Sequence, residues 1–166
     1  MLTTLHTEDT LLQANKHDLN GRSVSIISNA FRLTSIIRNY AEKHVFKQFN
    51  LSFSGFVVMW VLWVWGDLET AKLAKNAGIA KSTLTGILIT LEKHGYCQRL
   101  SHPSDARRVV VHISSTGEEL MEKVFSKYHE IEDVAASDLT DDEFETTIDS
   151  LGTMLQTMEE FTNKSK

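Results

Sequence analysis

Cysteine and proline are nearly missing from this chain of 166 residues, which holds one of each. A lone Cys97 excludes a framework of intramolecular disulfides and a cysteine-rich zinc site. Long apolar runs are missing too: Phe56 to Trp65 is about half the length a membrane-crossing helix needs. The opening MLTTLHTEDT has no basic start followed by an apolar stretch, so no secretory signal is expected. No phosphate loop, dinucleotide fingerprint, paired-histidine metal motif or nucleophile elbow occurs, and nothing points to an enzyme. Internal repeats and low-complexity segments are absent.

What is present looks globular. Apolar residues make up 42% and charged residues 23%, which fits one domain, or a small domain with appended helices. The expected setting is soluble and cytoplasmic, with no membrane partner. The net charge of −5 conceals an asymmetry. Residues 1–71 balance six basic against six acidic groups, whereas residues 72–112 sum to +5 and residues 113–166 to −10. A basic middle between neutral and acidic flanks suits a local phosphate-binding surface.

Residues 1–23 show no sustained period and read as an arm. From Val24 to about Gln48, apolar positions recur at three and four, which predicts one long amphipathic helix. Ser52 caps a second helix, Phe53 to Trp65, with Leu51 and Phe56 at staple positions. That helix is apolar on nearly every side, the pattern of a core helix. After Gly66 come a short helix, Thr70 to Ala77, and Gly78. A further helix, Lys81 to His94, has Leu84, Ile87, Leu88 and Leu91 on one face, with Gly95 at its left-handed cap. Two strands follow, Tyr96–Ser101 and Val109–Ile113, joined by a basic tip from His102 to Arg107 that holds the only proline, Pro103. Two helices close the chain, each opened by a capping box, Ser115 to Glu118 and Thr140 to Glu143.

This order predicts a mainly α fold with a small β-hairpin wing: a winged helix-turn-helix over residues 51–113. Residues 24–50 and 114–166 flank it with helices. In such a fold the Lys81–His94 helix enters the major groove and the hairpin tip an adjacent groove. Lys81, Ser82, Thr83 and Thr85 offer short donors and one cation there, against the alternative of an ordinary exposed face. Arg107 and Arg108 at the tip suit a narrow minor groove.

The run from Leu51 to Leu120 resembles the multiple-antibiotic-resistance regulator (MarR) family. The matching pieces are Leu73-Ala74, Ile79 to Thr85, Leu91 to Gly95, Arg99, Asp105 to Arg108 and Ile113 to Gly117. The resemblance implies a homodimeric transcription factor, most often a repressor, on a pseudo-palindromic DNA operator, with residues 24–50 and 114–166 as its dimerisation helices. By the same resemblance Ser82, Thr83 and Thr85 face the major groove, and Arg107 enters the minor groove. Asp105 orients Arg107 or Arg99, and Lys81 and Arg108 bind phosphate. Ala80 departs from the family's capping Ser or Thr, which costs the helix start ~1 kcal/mol. Ala106 replaces a common wing arginine.

Regulators of this family lose DNA affinity when a small molecule binds beside the dimerisation helices. Trp60, Trp63 and Trp65 border that cleft. Together with Phe53 and with Arg32, Arg38, Asn39, Tyr40 and His44, Trp60 suits an aromatic carboxylate or its coenzyme A thioester; the plain alternative is core packing. No cofactor is expected. Redox or metal control and a protein-binding winged helix are the competing readings. Cys97 lies in a strand, and Glu42-x-His44, His112 and His129-Glu130 form no recognised metal motif.

Overall fold

In the computed structural model, which describes residue 16, residues 20–102 and residues 105–164 (backbone only at 102 and 105–107), Asn20 opens the first helix. Its Oδ1 accepts from the Arg22 and Ser23 amides at 3.1 and 3.4 Å. This helix, α1, spans Gly21–Ala41, so it begins before Val24 and the expected arm is shorter by its last residues. The rest of that arm, residues 1–15 and 17–19, lies outside the described residues.

The single helix expected to Gln48 is interrupted. Glu42–Phe46 is a π-helical turn and Lys47–Phe49 a 3₁₀ turn, ending at Asn50 with φ 51°. A π turn inserts an extra residue into the helical register. Adjacent Val45 and Phe46 are both buried at this turn.

Helix α2, Phe53–Trp65, starts as the sequence predicts: the Gly55 amide donates to Ser52 Oγ at 3.1 Å. Leu51 and Phe56 are both buried. Burial does not extend all round it, however. Trp60, Trp63, Val64 and Trp65 are exposed, because only the Phe56, Val58, Met59, Val61 and Leu62 side meets the core.

Gly66 (φ 74°) ends α2. A two-residue strand follows, β1, Leu68–Glu69, which the sequence reading did not contain. Then come α3 (Thr70–Asn76), Gly78 (φ 65°), α4 (Lys81–Lys93) and Gly95 (φ 72°). Strands β2 (Cys97–His102) and β3 (Asp105–Ile113) complete an antiparallel sheet of order β1-β3-β2. Leu68 lies opposite Val111, and so does Arg99 from the other side. The six-residue tip expected from His102 to Arg107 is replaced by a longer strand. β3 already begins at Asp105, with a register shift at Ser101/His102. Pro103 lies outside the described residues.

Helix α5 spans Ser115–Ala136. Its cap is Ser114, not the expected Ser115: the Gly117 amide donates to Ser114 Oγ at 3.0 Å. Ser114 Oγ in turn donates to the Gly95 carbonyl at 2.5 Å. The third helical position is therefore Gly117, which has no side chain with which to complete a capping box. Only glycine fits there, since a Cβ would collide with the Tyr96 carbonyl oxygen and lie 2.9 Å from Ile113 Cγ1 and Met59 Cε.

The chain divides into two compact units, Met1–Tyr128 and His129–Lys166. The division falls inside α5, whose Leu120, Met121, Val124 and Tyr128 are buried. The core of the first unit includes Phe46, Met59, Leu62, Leu73, Leu84, Leu88 and Val111. Phe46, Phe53, Phe56 and Tyr128 cluster with ring centroids 4.7 to 6.3 Å apart. The second unit holds the end of α5 and α6, Asp141–Lys164. Here the expected capping box forms: the Thr140 amide donates to Glu143 Oε2 at 3.0 Å, and the Glu143 amide to Thr140 Oγ1 at 3.4 Å. Helix α6 has no buried residue. Among the described residues no single helix is long and apolar enough to cross a membrane.

Candidate nucleic-acid interface

Helix α4 is held by Leu84, Leu88 and Leu91, all buried, which turns the opposite face outward. Ala80 stands at its N-cap without a side-chain hydrogen bond, as the sequence predicts. Lys81, Ser82, Thr83 and Thr85 are all exposed. Thr85 Oγ1 donates to the Lys81 carbonyl at 3.0 Å, so toward a ligand this hydroxyl offers lone pairs rather than its proton. Among the described residues the Ser82 and Thr83 hydroxyls make no hydrogen bond. Ser82 and Thr85 share the outward line of the helix. Thr83 instead borders a groove of about 370 Å³ between α4 (with Ile87 and Thr90) and the start of α2 (with Asn50, Ser52 and Gly55).

Two wing arginines, Arg99 and Arg108, are anchored by carboxylates that the sequence alone does not single out. Arg99 on β2 forks onto Glu92 near the end of α4: Nε to Oε1 is 2.9 Å and Nη2 to Oε2 is 2.5 Å. The Arg99 amide adds a bond to Oε1 at 3.0 Å. These hydrogen bonds from Arg99 hold the Glu92 carboxyl below its ordinary range, and the Glu92 carboxylate raises the guanidinium in return. Glu92, then, orients Arg99, the role that resemblance left open to Asp105. Arg108 on β3 is paired with Glu69 on β1, Nε to Oε2 at 3.0 Å. His112 Nδ1 lies 2.6 Å from Asp67 Oδ1 beside that strand. The side chains of Asp105 and Arg107 lie outside the described residues; their backbone runs in β3.

Glu92 is the only acid on a helix in a basic region, which is a faint signal. Glu69 carried none. Its partner is 39 residues away, on a strand too short to show a period.

Among the effector candidates, two pairs meet. The Arg38 guanidinium sits 6.0 Å from the centre of the Phe53 ring, and the Tyr40 and His44 rings stack at 4.4 Å. Arg38 also faces Glu42 Oε1 at 3.5 Å, and the same oxygen accepts from the Phe53 amide at 3.1 Å. Asn39 and Trp60 are exposed and Arg32 half-buried. None of the seven residues lines the α2–α4 groove. Cys97 is buried, and loss of solvent, then the nearby Glu92 charge, pushes its thiol up to about 12. Such a thiol is a poor nucleophile. Among the described residues no group of three His, Cys, Asp or Glu side chains is placed to hold a metal ion.

A helix packed by its leucines beneath an exposed polar face, followed by a three-stranded wing with anchored arginines, defines a winged helix-turn-helix protein. The sequence pattern of the MarR family matches residues 51–109. The HTH-type transcriptional regulator YwaE of Bacillus subtilis is 34% identical over 133 residues, 80% of this chain and 78% of that one. The chain belongs to the MarR family: it is a DNA-binding transcriptional regulator, and the family is not one of enzymes. Solved structures share the fold. The MepR–DNA complex of S. aureus superposes with a TM-score of 0.71 at 24% identity, over 78% of this chain and 96% of that one. NadR in complex with 4-hydroxyphenylacetate gives 0.63 at 27% identity, over 79% and 89%.

Proposed function

We propose that the chain is a homodimeric repressor of a pseudo-palindromic operator, with half-sites about one helical turn apart, ~10 bp. Ser82 and Thr85 face the bases with Thr83 beside them at the edge of the α2–α4 groove, Lys81 and Arg108 bind phosphate, and Arg107, oriented by Asp105, enters the minor groove. Arg99, held by Glu92, ties the end of α4 to the wing. The outward face of α4 carries this reading: polar, exposed and set beside the basic wing.

Dimerisation is supported by apolar side chains left uncovered on two helices. On α1, Ile27 and Phe31 are exposed, and on α6 Phe144, Ile148, Leu151 and Leu155 are too. Rows of this kind at helical spacing are what a partner helix buries.

The effector in this reading is an aromatic carboxylate or its coenzyme A thioester, supplied by a catabolic pathway. Support comes from the Arg38–Phe53 pair, which joins a cation to an aromatic face. NadR, bound to the aromatic acid 4-hydroxyphenylacetate, is a relative of the same fold. Release from DNA requires the effector to favour the non-binding state, typically by ~1–3 kcal/mol. Redox control is disfavoured by the buried thiol of Cys97.

The test is fluorescence anisotropy of labelled DNA from upstream of the protein's own gene, with aromatic acids and their thioesters added. Sequence-dependent binding reversed by one compound supports both parts. Binding that no compound reverses overturns the effector class. Equal binding to all duplexes overturns the operator reading.

A further inference from the structure

The outward line of α4 continues past the residues that its resemblance singles out. Ile89 follows Ser82 and Thr85 at helical spacing and is 56% exposed, although isoleucine is usually buried. Gly86 lies between that line and the groove that Thr83 borders, and a Cβ added there would meet nothing within 4 Å. The ends of the helix carry exposed Lys81 and Lys93, and its one acid, Glu92, is occupied by Arg99. The face is thus framed by cations, neutral in the middle and apolar at Ile89. Its charge suits DNA better than a second copy of this acidic chain.

In the major groove the one apolar feature on a base edge is the C5-methyl group of thymine. Ile89 has no donor or acceptor and lies about 10 Å along the axis from Ser82, within the ~12 Å width of that groove. Between Lys81 and Lys93 the helix has no arginine to fork onto a guanine. We propose that Ile89 is a specificity-determining residue that packs on a thymine methyl in each half-site, with Gly86 letting the backbone of α4 approach the bases. This deepens the operator reading and rests on α4 entering the major groove.

The experiment selects a duplex from a random pool with the full-length protein, then replaces each thymine in turn by deoxyuridine, which removes only the methyl group. One thymine per half-site is expected to cost wild type about four-fold in affinity when so replaced, the value of one buried methyl. Ile89→Ala is expected to lower affinity for the unmodified duplex similarly and to be indifferent to that replacement. Its exposed position leaves the fold intact, which an unchanged melting curve verifies. Wild type indifferent to deoxyuridine at every position overturns the assignment, as does Ile89→Ala that keeps the full sensitivity. Failure to select any duplex overturns the operator reading itself, and the Ile89 assignment with it.

Discussion

Glu69 and Arg108, 39 residues apart in sequence, tie the shortest strand of the wing to its longest: Arg108 Nε donates to Glu69 Oε2 at 3.0 Å. The pair is partly exposed, at 37% and 46%, so it adds little to stability but neutralises a cation that the proposed interface assigns to phosphate.

Glu69→Gln is therefore expected to tighten operator binding, because it removes an acid beside phosphate and releases Arg108 toward DNA. The number of phosphate contacts is the same in both proteins, so the slope of log affinity against log salt should stay near the wild-type value. Titrations at several salt concentrations check it. Weaker binding by the variant would mean that Glu69 aims Arg108 rather than restrains it.

Acid should weaken the Glu92–Arg99 clamp. The folded carboxyl titrates below its ordinary value of 4.5, chiefly because Arg99 hydrogen-bonds its ionised form. Its contribution is complete above 4.5 and is lost as pH falls through the depressed value. Glu92→Gln is expected to be less stable than wild type at neutral pH by up to about 1 kcal/mol, given the partial exposure of both groups. Denaturant unfolding followed against pH should show that difference closing in acid.

The start of α5 separates two serines. Ser114→Ala removes the hydroxyl that accepts from Gly117 and donates to the Gly95 carbonyl, and should cost about 1 kcal/mol or somewhat more. Ser115→Ala, at an exposed position one residue later, should stay within about 0.5 kcal/mol. Thermal melts of the two variants make the comparison, and equal losses would contradict the cap at Ser114.

Cys97 should be chemically quiet. With its thiol pushed up to about 12, a disulfide reagent should modify it slowly in the folded protein and fast in denaturant. Peroxide treatment is expected to leave operator affinity unchanged. A peroxide-induced loss that Cys97→Ser abolishes would restore the redox alternative.

Much of the fold was legible in the sequence because it is encoded locally. Periodicity in α1 and α4, the cap at Ser52, the box at Thr140 and Glu143, and the glycines at 66, 78 and 95 each act within a few residues. So does the exposure of Ser82 and Thr85, since burying Leu84, Leu88 and Leu91 leaves the other face to solvent. Strand β1 was not legible, because two residues cannot display an alternation and exist as a strand only through pairing with Val110 and Val111. The choice of Ser114 over Ser115 as cap was likewise tertiary, since it depends on the Gly95 carbonyl and on the space that Tyr96 denies to any side chain at Gly117. The sequence by itself determined which helices form and which face of α4 looks outward. Only the tertiary structure decided which carboxylates hold Arg99 and Arg108 and that all three tryptophans stay exposed, because those outcomes depend on contacts between segments far apart in the chain.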